Sequence, residues 1–333
     1  MRYRLVASIG VAMALAALVP LLEPSELAQA RTAKEWSPPR GPDGHPDLQG
    51  NWSFATITPF ERPPAFGDKA VLTDQEVQEF EKETASRANQ DDNRQRGTAA
   101  DVGRAYNDAW YDRGTRMASS RQTSIVVDPP TGRVPGLTTE GQARVAARNE
   151  ARRQRGPADG PEDRSLGERC IIGFNAGPPF QPSAYNNNIQ IVQTKDYVMI
   201  MTEMVHQARI VSLDGRPHLP STSRLWMGDS RGHWDGDTLL VETTNFSDKN
   251  LYRGATQNMK LVEKFSRTAE ETLTYEFTIN DPATWTQTWT GRIPLEKLNE
   301  QLYEYACHEG NYGMAGILTG TRAEERDAAA NKK

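Results

Sequence analysis

Leu273, Tyr275, Phe277 and Ile279 alternate with Thr274, Glu276 and Thr278. A two-residue repeat puts every apolar side chain on one face of an extended strand and every polar one on the other, an arrangement that excludes a helix. Short β-prone runs recur along the second half of the chain: Tyr197 to Ile210, Thr238 to Phe246, Leu261 to Phe265, Trp285 to Arg292 and Leu302 to Glu309. Asp235-Gly236-Asp237 and Thr268-Ala269-Glu270-Glu271 separate runs as hairpin turns. The expected fold is mainly β, an antiparallel meander closed as a lipocalin-like barrel or folded as a sandwich.

A few peripheral helices complete it. Thr73 and Glu76 form a capping box that opens a helix over 73–88, and Thr139 with Gln142 opens another over about 140–153. In the second helix Arg144, Arg148 and Arg152 share one face, which reads as solvated. Residues 31–47, rich in Pro, Gly and charge, are expected as an extended arm, 48–325 as one β-rich domain, and 326–333 as a flexible tail. The stretch from Asp91 to Gly103 is polar, and Trp110, Tyr111 and Arg113 beyond it suit either packing or the lining of a cleft.

Arg2 and Arg4 precede an apolar run from Leu5 to Leu22, followed by Ala28-Gln29-Ala30. This is the pattern of a secretory signal peptide cleaved after Ala30, so a periplasmic or secreted protein is expected. The run also suits an uncleaved anchor; the Ala-x-Ala site favours cleavage. The net charge is −5 with no basic stripe, which argues against nucleic acid as a partner, and no later run is apolar for long enough to cross a membrane. Cys170 and Cys307 are the only cysteines. An oxidising compartment favours pairing them, at a gain of up to about 4–5 kcal/mol in the chain-entropy model; two buried free thiols are the alternative.

Three of the five histidines fall between Gln190 and Phe246. If Tyr197 to Ile210 runs unbroken, His206 shares the inward face with Val198 and Ile200, while Glu203 and Arg209 share the other. His308 and Glu309 stand in the last β-prone run, and pairing Cys307 with Cys170 brings that run towards Tyr185 and Asn187. The catalytic candidates are therefore His206, His308, Glu203 and Glu309, with the two imidazoles facing one enclosed space as proton carriers. Tyr185, Asn187, Arg209, Arg216, His218 and Trp226 are the candidates for holding a substrate. Ser230 stands in Gly228-Asp229-Ser230-Arg231-Gly232, which has the letters of a nucleophile elbow but lies in a hairpin context rather than between a parallel strand and a helix. An Asp229 and Arg231 pair bracing the turn is the better reading. No cofactor is predicted: His-x-His is absent, and Glu203 and His206 on opposite strand faces suit a divalent metal poorly.

Leu213-Asp214-Gly215-Arg216-Pro217-His218, Trp226-Met227-Gly228-Asp229-Ser230-Arg231-Gly232 and Ala306-Cys307-His308-Glu309-Gly310-Asn311-Tyr312 together resemble a family of uncharacterised secreted bacterial proteins, over Gly44 to Glu325. The resemblance implies secretion and no particular chemistry. Gly50-Asn51-Trp52 and the meander resemble, more loosely, lipocalin-type barrels. Two functions fit these residues: an acid–base enzyme (lyase, isomerase or hydrolase) acting on a small polar, sugar-like or aromatic substrate in the barrel, or a non-catalytic carrier of an apolar or aromatic molecule. The buried polarity of two strand-borne histidines favours the enzyme.

Overall fold

The computed structural model describes residues 36–88, 97 and 111–331. The signal-peptide and Trp110 readings, and all but Gly97 of the polar stretch from Asp91, lie outside them. The chain divides into two units, Met1–Ser37 and Pro38–Lys333, and the second holds every strand and helix named below.

Its strands are β1 (Gly50–Ser53), β2 (Val126–Asp128), β3 (Asn188–Gln193), β4 (Tyr197–Thr202), β5 (Ala208–Ser212), β6 (Asp229–Asp235), β7 (Thr238–Thr244), β8 (Lys260–Ala269), β9 (Thr272–Asn280) and β10 (Trp289–Leu298). The sheet runs β1-β3-β4-β5-β6-β7-β8-β9-β10 and closes because β1 also pairs with β10, leaving β2 outside on β10. The fold is a closed barrel, with helices α1 (Asp74–Ala88), α2 (Thr139–Arg153) and α3 (Tyr312–Ala330) at its periphery. The meander has one exception: β5 and β6 are parallel and meet at Ser212 and Arg231. Parallel neighbours need a crossover that returns the chain to its starting end. Residues 213–228 supply it on the outer surface, where Arg231 Nε donates to Pro217 O and Asn245 Nδ2 to Leu219 O.

Side chains fill the barrel. Leu273, Tyr275, Phe277 and Ile279 all point inward and are fully buried, as are Leu261, Glu263 and Phe265 on β8. Each fully buried large apolar side chain contributes about 1.5–3 kcal/mol. Phe180 packs among them, 5.0 Å from the Tyr275 ring and 5.7 Å from that of Phe54. The fit is close enough to dictate a glycine: a Cβ on Gly291 would sit 2.3 Å from Phe277.

Several expectations need correction. The run from Tyr197 to Ile210 is broken after Thr202 by a turn in which Val205 and His206 have φ of 60° and 40°. The turn resets the alternation, so Arg209 and Val211 point inward while Ala208 and Ile210 point out. Leu302 to Glu309 is irregular rather than a strand. The reason is topological: β1 and β10 each have neighbours on both sides, so a closed wall offers this segment no edge there. Residues 326–330 continue α3 instead of forming a tail. The arm is also docked from Pro38 on: His45 stacks on Trp234 at 4.6 Å, Arg40 pairs with Asp237 at 2.8 Å, and Gln193 donates to Asp43.

Two of the three helices start on a threonine. The Thr73 and Glu76 box forms as read, with Thr73 N–H donating to Glu76 at 2.9 Å and Glu76 N–H to Thr73 Oγ1 at 3.3 Å. The second cap is one residue earlier than expected. Thr138, in extended conformation, accepts from Gly141 N–H at 3.0 Å and donates to Ala283 O, so it fixes α2 to the barrel as well as capping it. Arg144 strengthens that joint by donating to Thr284 Oγ1 at 2.6 Å, so this part of the arginine face is not merely solvated.

Candidate functional site

The two histidines expected to share an enclosed space are both exposed. His206 lies on the turn between β4 and β5 with Nδ1 3.2 Å from Tyr305 O. His308 follows the disulfide, on a turn where its carbonyl accepts from Asn311 N–H. Glu203 shares the turn of His206 and accepts from Asn188 Nδ2 at 2.8 Å. Glu309 lines a shallow recess of about 390 Å³ with Glu304 and Asn311. The expected parity failed because two left-handed residues interrupt the strand, and nothing in their side chains announces such a turn.

The substrate-holding candidates separate into packing groups and one polar cluster. Asn187 is fully buried; its amide donates to Asp112 O and Ser183 O, and its side-chain oxygen accepts from Ser183 N–H and Asn175. Tyr185 stands edge-on to Phe174 at 5.4 Å, and Trp226 packs on a small cluster of Ile172, Ala176 and Met227. Arg113 lies over the Tyr111 ring at 4.4 Å, a packing contact. The disulfide joins Cys170 and Cys307 with Cα atoms 5.6 Å apart, fixing the Tyr305 segment beside the His206 turn.

Arg216 and His218 belong to the polar cluster, at the point where the crossover meets the outer face of β6 and β7. The local cause is in the sequence: Pro217 stiffens the chain and Asp214 folds back on Arg216, which also donates to Tyr197 Oη at 3.1 Å. The Arg216 guanidinium, helped by Ser212, holds the Asp214 carboxyl well below the usual carboxylate range. His218 then lands on two carboxylates. Its Nδ1 is 2.9 Å from Asp229 Oδ2 and its Nε2 is 3.2 Å from Glu242 Oε1. Asp229 is buried and also receives Leu219 N–H at 2.9 Å and Arg231 Nη1 at 2.6 Å, so it is a fixed anchor. Glu242 is exposed. An imidazole can make both bonds only while both nitrogens carry a proton; released from Glu242, it keeps Nδ1 on Asp229 and presents Nε2 to the surface.

Inside the wall, Arg209 makes a bidentate pair with Glu263 at 2.7 and 2.9 Å, and Tyr275 OH donates to Glu263 Oε1 at 2.8 Å. Phe180 N–H donates to Tyr275 Oη at 3.3 Å, which ties the residue packed into the barrel to the ion pair. Burial works against the charge on Arg209, but the attraction and hydrogen bonds of Glu263 outweigh it and raise its pKa. Burial first, and then the charge of Glu263, push the Tyr275 phenol well above its ordinary value. Arg209 was expected on the opposite face from His206 with a substrate to hold; it faces inward as a structural ion. Ser230 also points inward, bonded to Thr243 Oγ1 at 2.8 Å, so the elbow-like letters do not bring a serine to His218. The Asp229 and Arg231 pair does brace this region, as its spacing suggested.

Sequence reasoning passed over Glu242, Glu263 and Tyr275 as site residues. Glu263 carried a signal: it takes an inward place between Leu261 and Phe265, where a charge must have a partner. Glu242 carried none, because its importance comes from the crossover that lands above it. Among the described residues no group of three or more His, Cys, Asp or Glu could hold a metal, and no helix is long and apolar enough to cross a membrane. No protein-family model matches the chain, and no curated protein matches it at a significant level.

Proposed function

We propose that this protein is an extracytoplasmic enzyme, a lyase, isomerase or hydrolase, performing acid–base chemistry on a small polar or sugar-like substrate at the outer cluster. His218 is the proton carrier. The observation that carries this reading is the asymmetry of its two bonds: Nδ1 is held by a buried, triply bonded carboxylate, whereas Nε2 meets an exposed one that a substrate can displace. A buried carboxylate behind an imidazole fixes the ring's orientation and which nitrogen faces outward, the usual preparation for general acid or base work. Arg231 Nη1, donating to Asp229 at 2.6 Å, holds that carboxylate in place behind the ring. The disulfide, the leader-like run before Ala30 and the resemblance to secreted proteins support a place outside the cytoplasm.

The ligand site is moved from the barrel axis to its outer wall, because the axis is occupied by the Arg209 and Glu263 pair and the aromatic side chains around it. The test is a thermal-shift screen with sugar acids, phenolics and divalent cations, run on the wild type and on His218→Gln. One class should raise Tm in the wild type and leave the variant unmoved. Equal shifts in both proteins, or none in either, would remove His218 from the site.

A further inference from the structure

Arg231 and Glu242 stand directly opposite each other on β6 and β7, and both point outward. Opposite charges so placed are expected to pair across the strands. Here each has turned to another partner. Arg231 donates from Nη1 to Asp229 Oδ1 and Ser230 O, and from Nε to Pro217 O. Among the described residues its Nη2 donates to nothing, and that atom is not enclosed. Glu242 accepts from His218 Nε2 instead, at 3.2 Å, and among the described residues no second bond holds it. Its side chain is 48% exposed against 6% for Asp229, so of the two carboxylates on the imidazole it is the one that can leave.

We infer that Glu242 is a built-in competitor of the ligand, and that the group replacing it on His218 is the carboxylate of a small monocarboxylic acid such as a sugar acid. The inference rests on the reading of His218 as the centre of the site and names the class of its substrate. Glu242 shows what Nε2 is prepared to hold: an anionic oxygen, whose charge strengthens the hydrogen bond. A hydroxyl or carbonyl oxygen in its place makes a weaker bond and leaves the imidazolium without its counter-charge. Charge balance narrows the class further. Arg231 and His218 offset Asp229 and Glu242 one for one, so a monoanion keeps the balance, whereas a phosphate dianion sets an extra negative charge beside Asp229. Arg231 Nη2, across from Glu242 by register, is the donor left for the second carboxylate oxygen. Apolar surface for the carbon frame is at hand: Leu219, 41% exposed, follows His218, and the half-buried Val262 stands opposite Glu242 on β8.

The test is calorimetric titration of the full chain with glucuronate, with glucose as the same ring lacking the carboxylate, and with inorganic phosphate. Glucuronate should bind the wild type at least about tenfold more tightly than either of the others. Glu242→Gln removes the competitor's charge and keeps its shape, so glucuronate should bind that variant about five- to tenfold more tightly than the wild type. Glu276→Gln, the same change of charge on the outer face of β9, should move the affinity by less than about twofold. His218→Gln should lose the binding. Unchanged or weaker binding by Glu242→Gln would overturn the inference by making Glu242 part of the grip, and an equal gain in Glu276→Gln would overturn it by reducing the effect to net charge. A wild-type preference for glucose or phosphate that His218→Gln abolishes would overturn the carboxylate class and keep His218 in the site. Glucuronate binding His218→Gln as well as the wild type would overturn both readings. Glucuronate binding to none of the proteins would overturn the inference alone, with the wider thermal-shift screen deciding on His218.

Discussion

Arg209 with Glu263 inside the barrel, and Arg231 with Asp229 on its outer wall, are both arginine–carboxylate pairs tied to neighbouring strands of one sheet. The inner pair is sealed: Glu263 also accepts from Tyr275, which in turn accepts from Phe180 N–H. The outer pair faces a histidine whose second nitrogen reaches an exposed carboxylate. Identical chemical groups thus have different consequences according to the side of the wall they occupy. Within, leaving either partner alone is costly, so the pair holds the fold; without, Asp229 stays fixed by its hydrogen bonds while the exposed Glu242 beside it is free to give up His218 to a small molecule.

The largest expected effect is on the inside. Arg209→Met or Glu263→Leu alone should lower the unfolding free energy in urea by about 3–5 kcal/mol, because each leaves a buried charge unpaired. The double variant should recover most of that loss. A single variant costing under about 1 kcal/mol would put the inner pair on the same footing as an exposed one and erase the contrast.

Tyr275→Phe comes next, at about 1–2 kcal/mol near neutral pH, with the acceptor Glu263 keeping its arginine. Because the folded pKa of Tyr275 is raised, its neutral form contributes stability that is complete below the unfolded value of about 10 and is lost as the pH rises beyond it. The variant should flatten that alkaline limb. On the outside, His218→Gln should cost under about 1 kcal/mol yet, once a substrate is in hand, reduce turnover by about 10²–10⁴-fold. A large loss of stability with unchanged turnover would reverse the roles assigned to the two faces. Smallest is Asp214→Asn. The folded pKa of Asp214 is lowered by Arg216, so its contribution is present above the ordinary carboxylate range and lost as the pH falls through the lowered value. Chemical denaturation at several acid pH values should show that limb flatten in the variant.

The barrel was legible because its longest strands keep strict alternation; Leu273 to Ile279 faces inward as its pattern demands. Thr73 and Glu76 were legible for a similar reason, since a capping box is settled within four residues. The site was less so. His206 and Arg209 exchanged faces because a turn centred on Val205 lies inside a run of otherwise uniform β character. His218 could be singled out as a loop residue, but its partners stand on β6 and β7, onto which the crossover that carries it folds back, and no local pattern encodes where a crossover comes to rest. The parallel seam escaped notice for the same reason: direction of pairing is a property of the whole chain's path.

Closure of the wall by β1 against β10 joins Asn51 to Leu298 and Trp52 to Lys297. During synthesis the opening strand therefore waits for nearly the whole polypeptide before its second neighbour exists, whereas the hairpins from β6 to β10 assemble from consecutive segments. Trp52, fully enclosed at the end, spends that interval with one flank bare. The wall is therefore complete only once β1 has met β10, and a chain cut short before β10 leaves its first strand without that neighbour.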